Sequence, residues 1–380
     1  MPTTTHAALT RAAWAHHAAA QGARYATESE QARTLHPAVA ETLVQDGFAR
    51  YFVPVGFGGT AGTFAELLDA VALVGEGCTS AAWCAALQAA HGRLAAHLPH
   101  QGQADLWGSG ADIPIAAAVV PPAGELTPVP GGYLLTGRWN LASGVDHAHW
   151  ILLAAPERAD GDHRQWILAV PRADISIHDT WRNSGLRGTG SHSVTVDAAF
   201  VPEHRTVLRE ALAAGRDEEG AARCHRIPYT LVASLIFAAP ALGAARGALR
   251  AWITLAAGRT TAGGGRFLEE AVAQDALVRS SAEIDAAHLL LRRAAERADQ
   301  APLDDLPVAL NMRDAAVAVE MLVGAVERLF RSGGARAQAE GEPLQRLWRD
   351  VHALAGHGAL QLPLAARAYG QWVAADVAAR

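Results

Sequence analysis

The sequence contains no lysine, and all 32 of its basic residues are arginine. Enzymes that hold their substrate as a Schiff base, including the pyridoxal phosphate class, need a lysine amine. A P-loop needs the lysine of its GK[ST] motif. Both kinds of site are therefore excluded.

Cysteine is scarce as well. Cys78, Cys84 and Cys224 form no CxxC pair and are odd in number, as in a reduced protein without a disulfide framework. The N-terminus lacks a basic segment followed by an apolar one, so we expect no signal peptide. The longest apolar run, residues 231–245, contains Pro240 and is too short to span a bilayer. We therefore expect a cytoplasmic protein with no membrane segment.

The sequence also has fewer basic residues than acidic ones, 32 against 38. The formal net charge of the 380 residues is −6, which argues against a nucleic-acid or anionic-membrane partner. Half of the residues are hydrophobic, enough for a large core spread over two or three domains.

The pattern along the chain predicts a mainly α protein with a central β domain. Residues 1–112 are expected to form an N-terminal helical domain, 113–205 a small antiparallel β domain, and 206–380 a C-terminal four-helix bundle. The apolar periodicity predicts bundle helices over residues 229–257, 267–299, 306–332 and 343–375. It predicts strands over residues 113–120, 133–136, 150–154, 166–170 and 194–201.

Residues 137–150 are unusual because they are polar, lie between two predicted strands and carry two tryptophans. Loops normally leave large aromatics in the core. The segment therefore suggests a flat, partly apolar ligand with a polar edge.

Two other motifs carry weaker signals. Residues 56–61 have GxGxxA spacing, but Pro54 interrupts the preceding strand and no second parallel strand follows, so a dinucleotide fold is not expected. The cluster Asp146, His147 and His149 lacks a nearby further ligand at a usual spacing, and no metal is expected.

Several residues have both an ordinary and a functional interpretation. His91 lies on an apolar helical face with Trp83, where a lone histidine is usually a hydrogen-bonded core residue. Ser143 by itself is a turn serine. Residues 185–191 form either a tight turn or a glycine-rich backbone that approaches an anion.

Three segments resemble one family. They are Arg138-Trp139-Asn140 with Ser143-Gly144, the glycine-rich residues 185–191, and Trp348-Arg349-Asp350 followed by His357. They resemble the two-component flavin-dependent monooxygenases of the acyl-CoA dehydrogenase fold. The resemblance covers residues 37–369 and matches the order helical domain, β domain, helical bundle.

The resemblance implies site residues. Ser143 would lie against the flavin N5 and His357 near the flavin C4a, with His352 in a secondary role. His91 would line the substrate pocket and count with Ser143 and His357 as catalytic. The other implied flavin contacts are Trp139, Asn140, Gly144, Arg187, Ser191, Arg259 and Gln274, of which the last two would reach a neighbouring subunit. The other implied substrate contacts are Trp83, Trp139 and Asn140.

The function implied is that of an oxygenase component. A separate flavin reductase would supply reduced FMN or FAD, O₂ would add to give a C4a-hydroperoxyflavin, and an aromatic or heteroatom-containing small molecule would be oxygenated. The resemblance also implies a homotetramer. It leaves open the substrate, the choice of FMN or FAD, and C-, N- or S-oxygenation.

Two alternatives remain. An acyl-CoA dehydrogenase or oxidase needs a carboxylate base, but Asp376 is the only acid after Asp350. The Thr-Glu-Pro type motif of that class is also replaced by Val119-Val120-Pro121-Pro122. The second alternative is a non-catalytic relative that binds flavin or another ligand.

Overall fold

The computed structural model describes residues 12–157, 164–216, 220–302 and 305–380. Six helices come first. They are α1 (His16–Arg24), α2 (Ala26–Ala32), α3 (Pro37–Gln45), α4 (Phe64–Gly75), α5 (Thr79–Ala95) and α6 (His100–Trp107). Helix α5 is buried along almost its whole length because alanines on all its faces allow neighbouring elements to approach closely.

In the described part of the chain, eight strands form two four-stranded sheets, with orders β1-β4-β5-β8 and β2-β3-β7-β6. All pairs are antiparallel except β1 with β4, which is parallel. Leu135, Trp139, Leu153 and Val194 belong to the buried core of these sheets. The strands are β1 (Ile115–Ala118), β2 (Glu125–Val129), β3 (Gly132–Ala142), β4 (Trp150–Pro156), β5 (Gln165–Pro171), β6 (Ser176–His178), β7 (His192–Pro202) and β8 (Thr206–Leu208).

Two strand predictions need correction. Strand β3 continues through Ala142, so only residues 143–149 of the segment taken as a loop lie between strands. Strands β2, β6 and β8 were not predicted, because they are short and contain polar residues or proline. Helices give way to strands between Trp107 and Ile115 and return after Leu208. The division into three domains stays a prediction.

The C-terminal part is helical. It comprises α7 (Arg209–Ala214), α8 (Arg223–Arg226), α9 (Tyr229–Ala257), α10 (Ala271–Gln300), α11 (Asp305–Gly333), α12 (Pro343–Ala355) and α13 (Leu362–Ala379). The prediction of one helix over residues 343–375 is wrong. Gly356 and Gly358 follow α12, and Pro363 lies in the first turn of the next helix, so the helix is interrupted between the two. His357 lies in this break.

Helix α9 is the central helix of the bundle. By length and composition it could cross a membrane, but 89% of its most apolar window is buried inside the protein. It packs against α4, α5, α10 and α11. A Cβ on Gly243 would lie 2.3 Å from the carbonyl oxygen of Ala72, so glycine permits the close approach of α9 to α4.

Candidate active site

A cavity of about 740 Å³ lies where α5, β1, β3, residues 181–191, α9 and the break between α12 and α13 meet. Six of the residues implicated by the sequence line it together: Trp83, His91, Asn140, Ser143, Ser191 and His357. The structure thus brings together side chains that are up to 274 positions apart in the chain, from Trp83 to His357.

Ser143 takes part in a row of hydroxyl groups. Its Oγ lies 2.7 Å from Ser191 Oγ, which lies 2.6 Å from Thr189 Oγ1. Thr189 Oγ1 donates to the carbonyl oxygen of Leu186 at 2.9 Å. Each hydroxyl has one proton, so Ser191 must donate to Thr189 and Ser143 must donate to Ser191. We call Ser143, Ser191 and Thr189 the hydroxyl relay.

The relay determines what Ser143 can offer a ligand. Its proton is committed to Ser191, and one lone pair accepts the indole N–H of Trp83 at 3.1 Å. One lone pair remains. Ser143 therefore presents a hydrogen-bond acceptor, and no donor, to the cavity.

His357 is held by aromatic neighbours. Its ring stacks on Phe237 with centroids 3.7 Å apart and meets Trp83 edge-on at 5.6 Å. Nδ1 accepts the backbone N–H of Ala359 at 3.2 Å, which places the proton of the neutral ring on Nε2. Burial lowers the pKa of His357 to about 4, so the ring is neutral near pH 7.

His91 has the opposite tautomer. Its Nδ1 lies 2.7 Å from the carbonyl oxygen of Ile115 and must donate to it, which leaves Nε2 as an acceptor. Burial lowers the pKa of His91 to about 4 as well. The cavity wall thus contains one neutral imidazole with a donor Nε2 and one with an acceptor Nε2.

The segment Trp348-Arg349-Asp350 positions the glycine-rich turn. Asp350 Oδ1 accepts the backbone N–H of Leu186 at 2.7 Å, and Arg349 Nη1 donates to the carbonyl oxygen of Ser184 at 2.7 Å. A Cβ on Gly185 would lie 2.2 Å from the carbonyl oxygen of Arg349, so only glycine fits here. Burial raises the pKa of Asp350 to about 6.

The cavity suits an isoalloxazine ring. Its wall is largely aromatic and aliphatic, while Asn140, Ser143 and Ser191 give it a polar edge. Pockets of this size and composition are typical of cofactor sites. A flat ring with a polar edge fits such a wall, and an N–H on that edge fits the acceptor that Ser143 presents.

Comparison with known proteins decides the family. The oxygenase subunit HsaA of a flavin-dependent monooxygenase from Rhodococcus jostii (strain RHA1) is 33% identical over 348 residues, which cover 88% of this chain and 90% of that protein. The chain belongs to this family. Residues 235–362 match the family described as acyl-CoA dehydrogenase, C-terminal domain.

Two further comparisons agree. The oxygenase component of an FADH₂-dependent resorcinol hydroxylase from Rhizobium sp. (strain MTP-10005) is 33% identical over 352 residues, covering 87% of this chain and 86% of that protein. The structure of XiaF from Streptomyces sp. in complex with FADH₂ and glycerol has a TM-score of 0.89 and 27% identity, with 97% and 95% of the two chains covered. The predicted family, fold and oxidoreductase class are confirmed.

This chain is therefore the oxygenase component of a two-component flavin-dependent monooxygenase. It uses reduced flavin, which a separate reductase supplies, and systems of this kind act on aromatic substrates. The roles of individual residues in this monooxygenase are not fixed by the comparisons and stay predictions.

Trp139 does not face the cavity of the monooxygenase. It is 1% exposed in the core of the sheets, and its indole N–H donates to the carbonyl oxygen of Ala154 at 2.8 Å. Neighbouring side chains of a strand point to opposite faces, so Asn140 reaches the cavity and Trp139 cannot. The predicted contacts of Trp139 with flavin and substrate are corrected: it is a core residue.

Four other predicted flavin contacts also lie outside the cavity. Gly144 closes the turn by donating its N–H to the carbonyl oxygen of Thr189 at 2.7 Å. Arg187 donates to the carbonyl oxygen of Asn183 at 3.3 Å. Arg259 lies over the ring of Phe267, and Gln274 is exposed.

His352 is separated from His357 by the end of α12. Its Nδ1 lies 2.8 Å from the carbonyl oxygen of Trp348, and its Nε2 is 3.5 Å from Glu327. It does not line the cavity. Within the described residues, no group of three His, Cys, Asp or Glu side chains is placed to hold a metal ion.

Sequence reasoning missed some cavity residues. Tyr229, Ala233, Ile236 and Phe237 line the cavity from one face of α9, and their helical spacing is a signal that could have found them. Leu141 lines it with a positive φ of 64° and 63% exposure, at a bulge in β3. Nothing in its sequence neighbourhood indicates this conformation.

Proposed function

We propose that the cavity binds the isoalloxazine ring of reduced flavin with the N5–H donating to Ser143 Oγ. The hydroxyl relay supports this assignment, because it makes Ser143 an acceptor towards the cavity. Reduced flavin carries a proton on N5, whereas oxidised flavin carries only a lone pair there. The site therefore favours the reduced cofactor.

The substrate in this proposal is a phenol. A bound reduced flavin supplies the electrons that activate dioxygen. His91 Nε2 would accept a hydrogen bond from the phenol hydroxyl, which orients the phenol and increases the electron density of its ring. His357 Nε2 would donate a hydrogen bond to oxygen bound beside the flavin. Trp83, Phe237 and Leu141 exclude water from the reacting atoms.

We propose a homotetramer in the cytoplasm. Apolar side chains are exposed on α10 and α13, a pattern typical of an assembly interface. The most exposed of them are Val272, Val278, Leu289 and Val377. Arg259 and Gln274 do not line the cavity of their own chain, so their predicted contact with flavin requires a neighbouring subunit. The three cysteines are free and buried, as expected in a reducing compartment.

Anaerobic titration with oxidised and reduced flavin tests the proposal. The native protein should bind reduced flavin more tightly, and Ser143→Ala should lose about ten- to a hundredfold of that preference. The variant should also release more peroxide and less product in the presence of a reductase and a phenol. Ser281→Ala removes an exposed serine hydroxyl bonded within α10 and should change neither property.

Two results would contradict the proposal. One is equal affinity of the native protein for the two redox states. The other is rapid NADH oxidation by the pure chain without a reductase.

A further inference from the structure

A second cavity of about 380 Å³ adjoins the first. Leu94, Val119, Val120 and Tyr229 line both cavities and so form the boundary between them. The rest of the second cavity is lined mainly by β5, α7 and the start of α9. A ligand that extends from the first cavity past these side chains would enter the second.

The second cavity contains an arginine at its wall. Arg209 is half-buried, and its Nη1 donates to the neutral amide oxygen of Gln165. Among the described residues, no carboxylate lies within ion-pair distance of its guanidinium. Glu210 also lines the cavity but is exposed, so water screens its charge.

The field at the boundary is positive. The charges of Arg93 and Arg209 both act to lower the pKa of the Tyr229 hydroxyl, opposing burial, which raises it. Arg93 is 1% exposed and bonds only carbonyl oxygens, those of Cys224 and Ile227, while its Nη1 has no hydrogen-bond partner. Within the described residues neither guanidinium has an acidic partner, and two such charges favour an anion nearby.

The remaining wall of the second cavity is aliphatic. Leu94, Ile167 and Leu212 face the space between Tyr229 and Arg209. A methylene chain gains free energy when it is buried against such side chains.

We infer that the second cavity binds the carboxylate-bearing tail of the substrate, with Arg209 as its anchor. The inference rests on the proposed function, which puts the phenol ring in the first cavity. The planar fork of arginine matches a carboxylate better than any neutral group. The substrate class is a phenol with an aliphatic acid chain long enough to pass Tyr229. An acid with a shorter chain would have its carboxylate in the first cavity, where it does not reach Arg209 and is not bound more tightly because of it.

A matched series of probes tests this inference. The probes are 4-hydroxyphenylalkanoates of increasing chain length and the corresponding primary amides, titrated against the protein loaded with reduced flavin without oxygen. At the longer chain lengths the carboxylate should bind about ten- to a hundredfold more tightly than its amide. Arg209→Gln should remove this preference.

Arg172→Gln is the control. Arg172 is exposed just beyond the end of β5 opposite Gln165, so its loss makes the same charge change away from the cavity. It should leave the carboxylate preference unchanged. Thermal unfolding of both variants would show that they are folded.

Equal binding of acid and amide at every chain length would overturn the inference, and so would a preference that survives in Arg209→Gln. Titration of the same protein with reduced flavin, before the probes are added, keeps the two proposals apart. Failure to bind reduced flavin counts against the proposed function, whereas flavin binding without a carboxylate preference counts only against the anchor.

Discussion

His91 and His357 differ in which ring nitrogen carries the proton. His91 is buried and His357 half-buried. Each ring has one nitrogen fixed by a backbone group: the carbonyl oxygen of Ile115 for His91 and the N–H of Ala359 for His357. The backbone therefore selects the tautomer, and the cavity receives an acceptor from one ring and a donor from the other. This division suits a site in which one ring accepts a hydrogen bond from a substrate hydroxyl and the other donates one to oxygen.

His357→Ala should lower product yield per reduced flavin by about tenfold or more and raise peroxide release, because the donor at Nε2 is lost. Product and peroxide assays with a reductase measure both quantities. His352→Ala is the matched control, since His352 lies outside the cavity beside Glu327. Equal loss in the two variants would remove His357 from the proposed mechanism.

Stability should depend on pH through His91. Its pKa falls from 6.5 to about 4 on folding, so the unfolded chain binds more protons between these values. The free energy of unfolding should therefore decrease as pH falls from 6.5 to 4, by about 3 kcal/mol for this group. His91→Gln should flatten that decrease in urea titrations at several pH values.

Asp350 should change the stability with pH in the opposite direction to His91. Its pKa rises from 3.8 to about 6 on folding, so its contribution to stability is lost as pH rises through that window. Asp350→Asn should steepen the acid-side decrease in stability where His91→Gln flattens it. If the free energy of unfolding changes with pH equally steeply in the two variants, neither group titrates as its burial requires.

Among the elements, the turn at residues 185–191 depends most on its neighbours. Leu186 has a positive φ of 52°, which is costly for a leucine unless its surroundings impose it. Asp350 holds its N–H, and Thr189 and Trp181 donate to its carbonyl oxygen. The helix α12 thus stabilises the shape of a loop that lines the cavity.

Gly185→Ala should displace this turn, because the new Cβ would overlap the backbone of Arg349. We expect a loss of roughly 1–3 kcal/mol in the free energy of unfolding and weaker binding of reduced flavin. Gly56→Ala is the control, since no atom lies within 4 Å of a Cβ at that glycine. Chemical denaturation and flavin titration of both variants would separate close packing from a general effect of alanine.

Sequence periodicity predicted the order of the elements but not their exact ends. Helix α9 was placed correctly over residues 229–257, because its apolar pattern has clear limits. The break before α13 was missed, because alanine and leucine continue on both sides of Gly356 and Gly358. Propensity alone does not stop such a run; the glycines and Pro363 do.

The same limit applied to the site. Ser143 and His357 were found because they occur in motifs of the family. Trp139 was misplaced because residues 137–142 were taken for a loop, and alternation along a strand would have turned its side chain into the core. Phe237 was missed because no motif marks it, and it reaches His357 only through the packing of α9 against the break.

In the molecule as a whole, the cavity is lined by segments that are far apart in the sequence. Helix α5, strands β1 and β3, helix α9 and the break after α12 each contribute a wall. The site therefore requires the complete fold. The exposed apolar side chains of α10 and α13 would form the interface of the proposed tetramer, so the site would depend on the assembly as well.

Arg259→Gln should weaken flavin binding by about tenfold even though Arg259 does not line the cavity of its own chain. The reason is its proposed contact with the flavin of a neighbouring subunit. Arg331→Gln, which removes an exposed arginine paired with Glu327, should have no such effect. Light scattering should show a tetramer for all three proteins. A stable monomer with native flavin affinity would refute both the assembly and the contact.

The hydroxyl relay has a direction. Its protons all point from Ser143 through Ser191 and Thr189 towards the carbonyl oxygen of Leu186, away from the cavity. The row is aligned to pass a proton inward from the cavity, but it ends at an amide carbonyl oxygen, which accepts a hydrogen bond and is too weak a base to take up the proton. In the proposed complex, the relay would therefore give a proton on the flavin N5 no way to leave through the protein on that side.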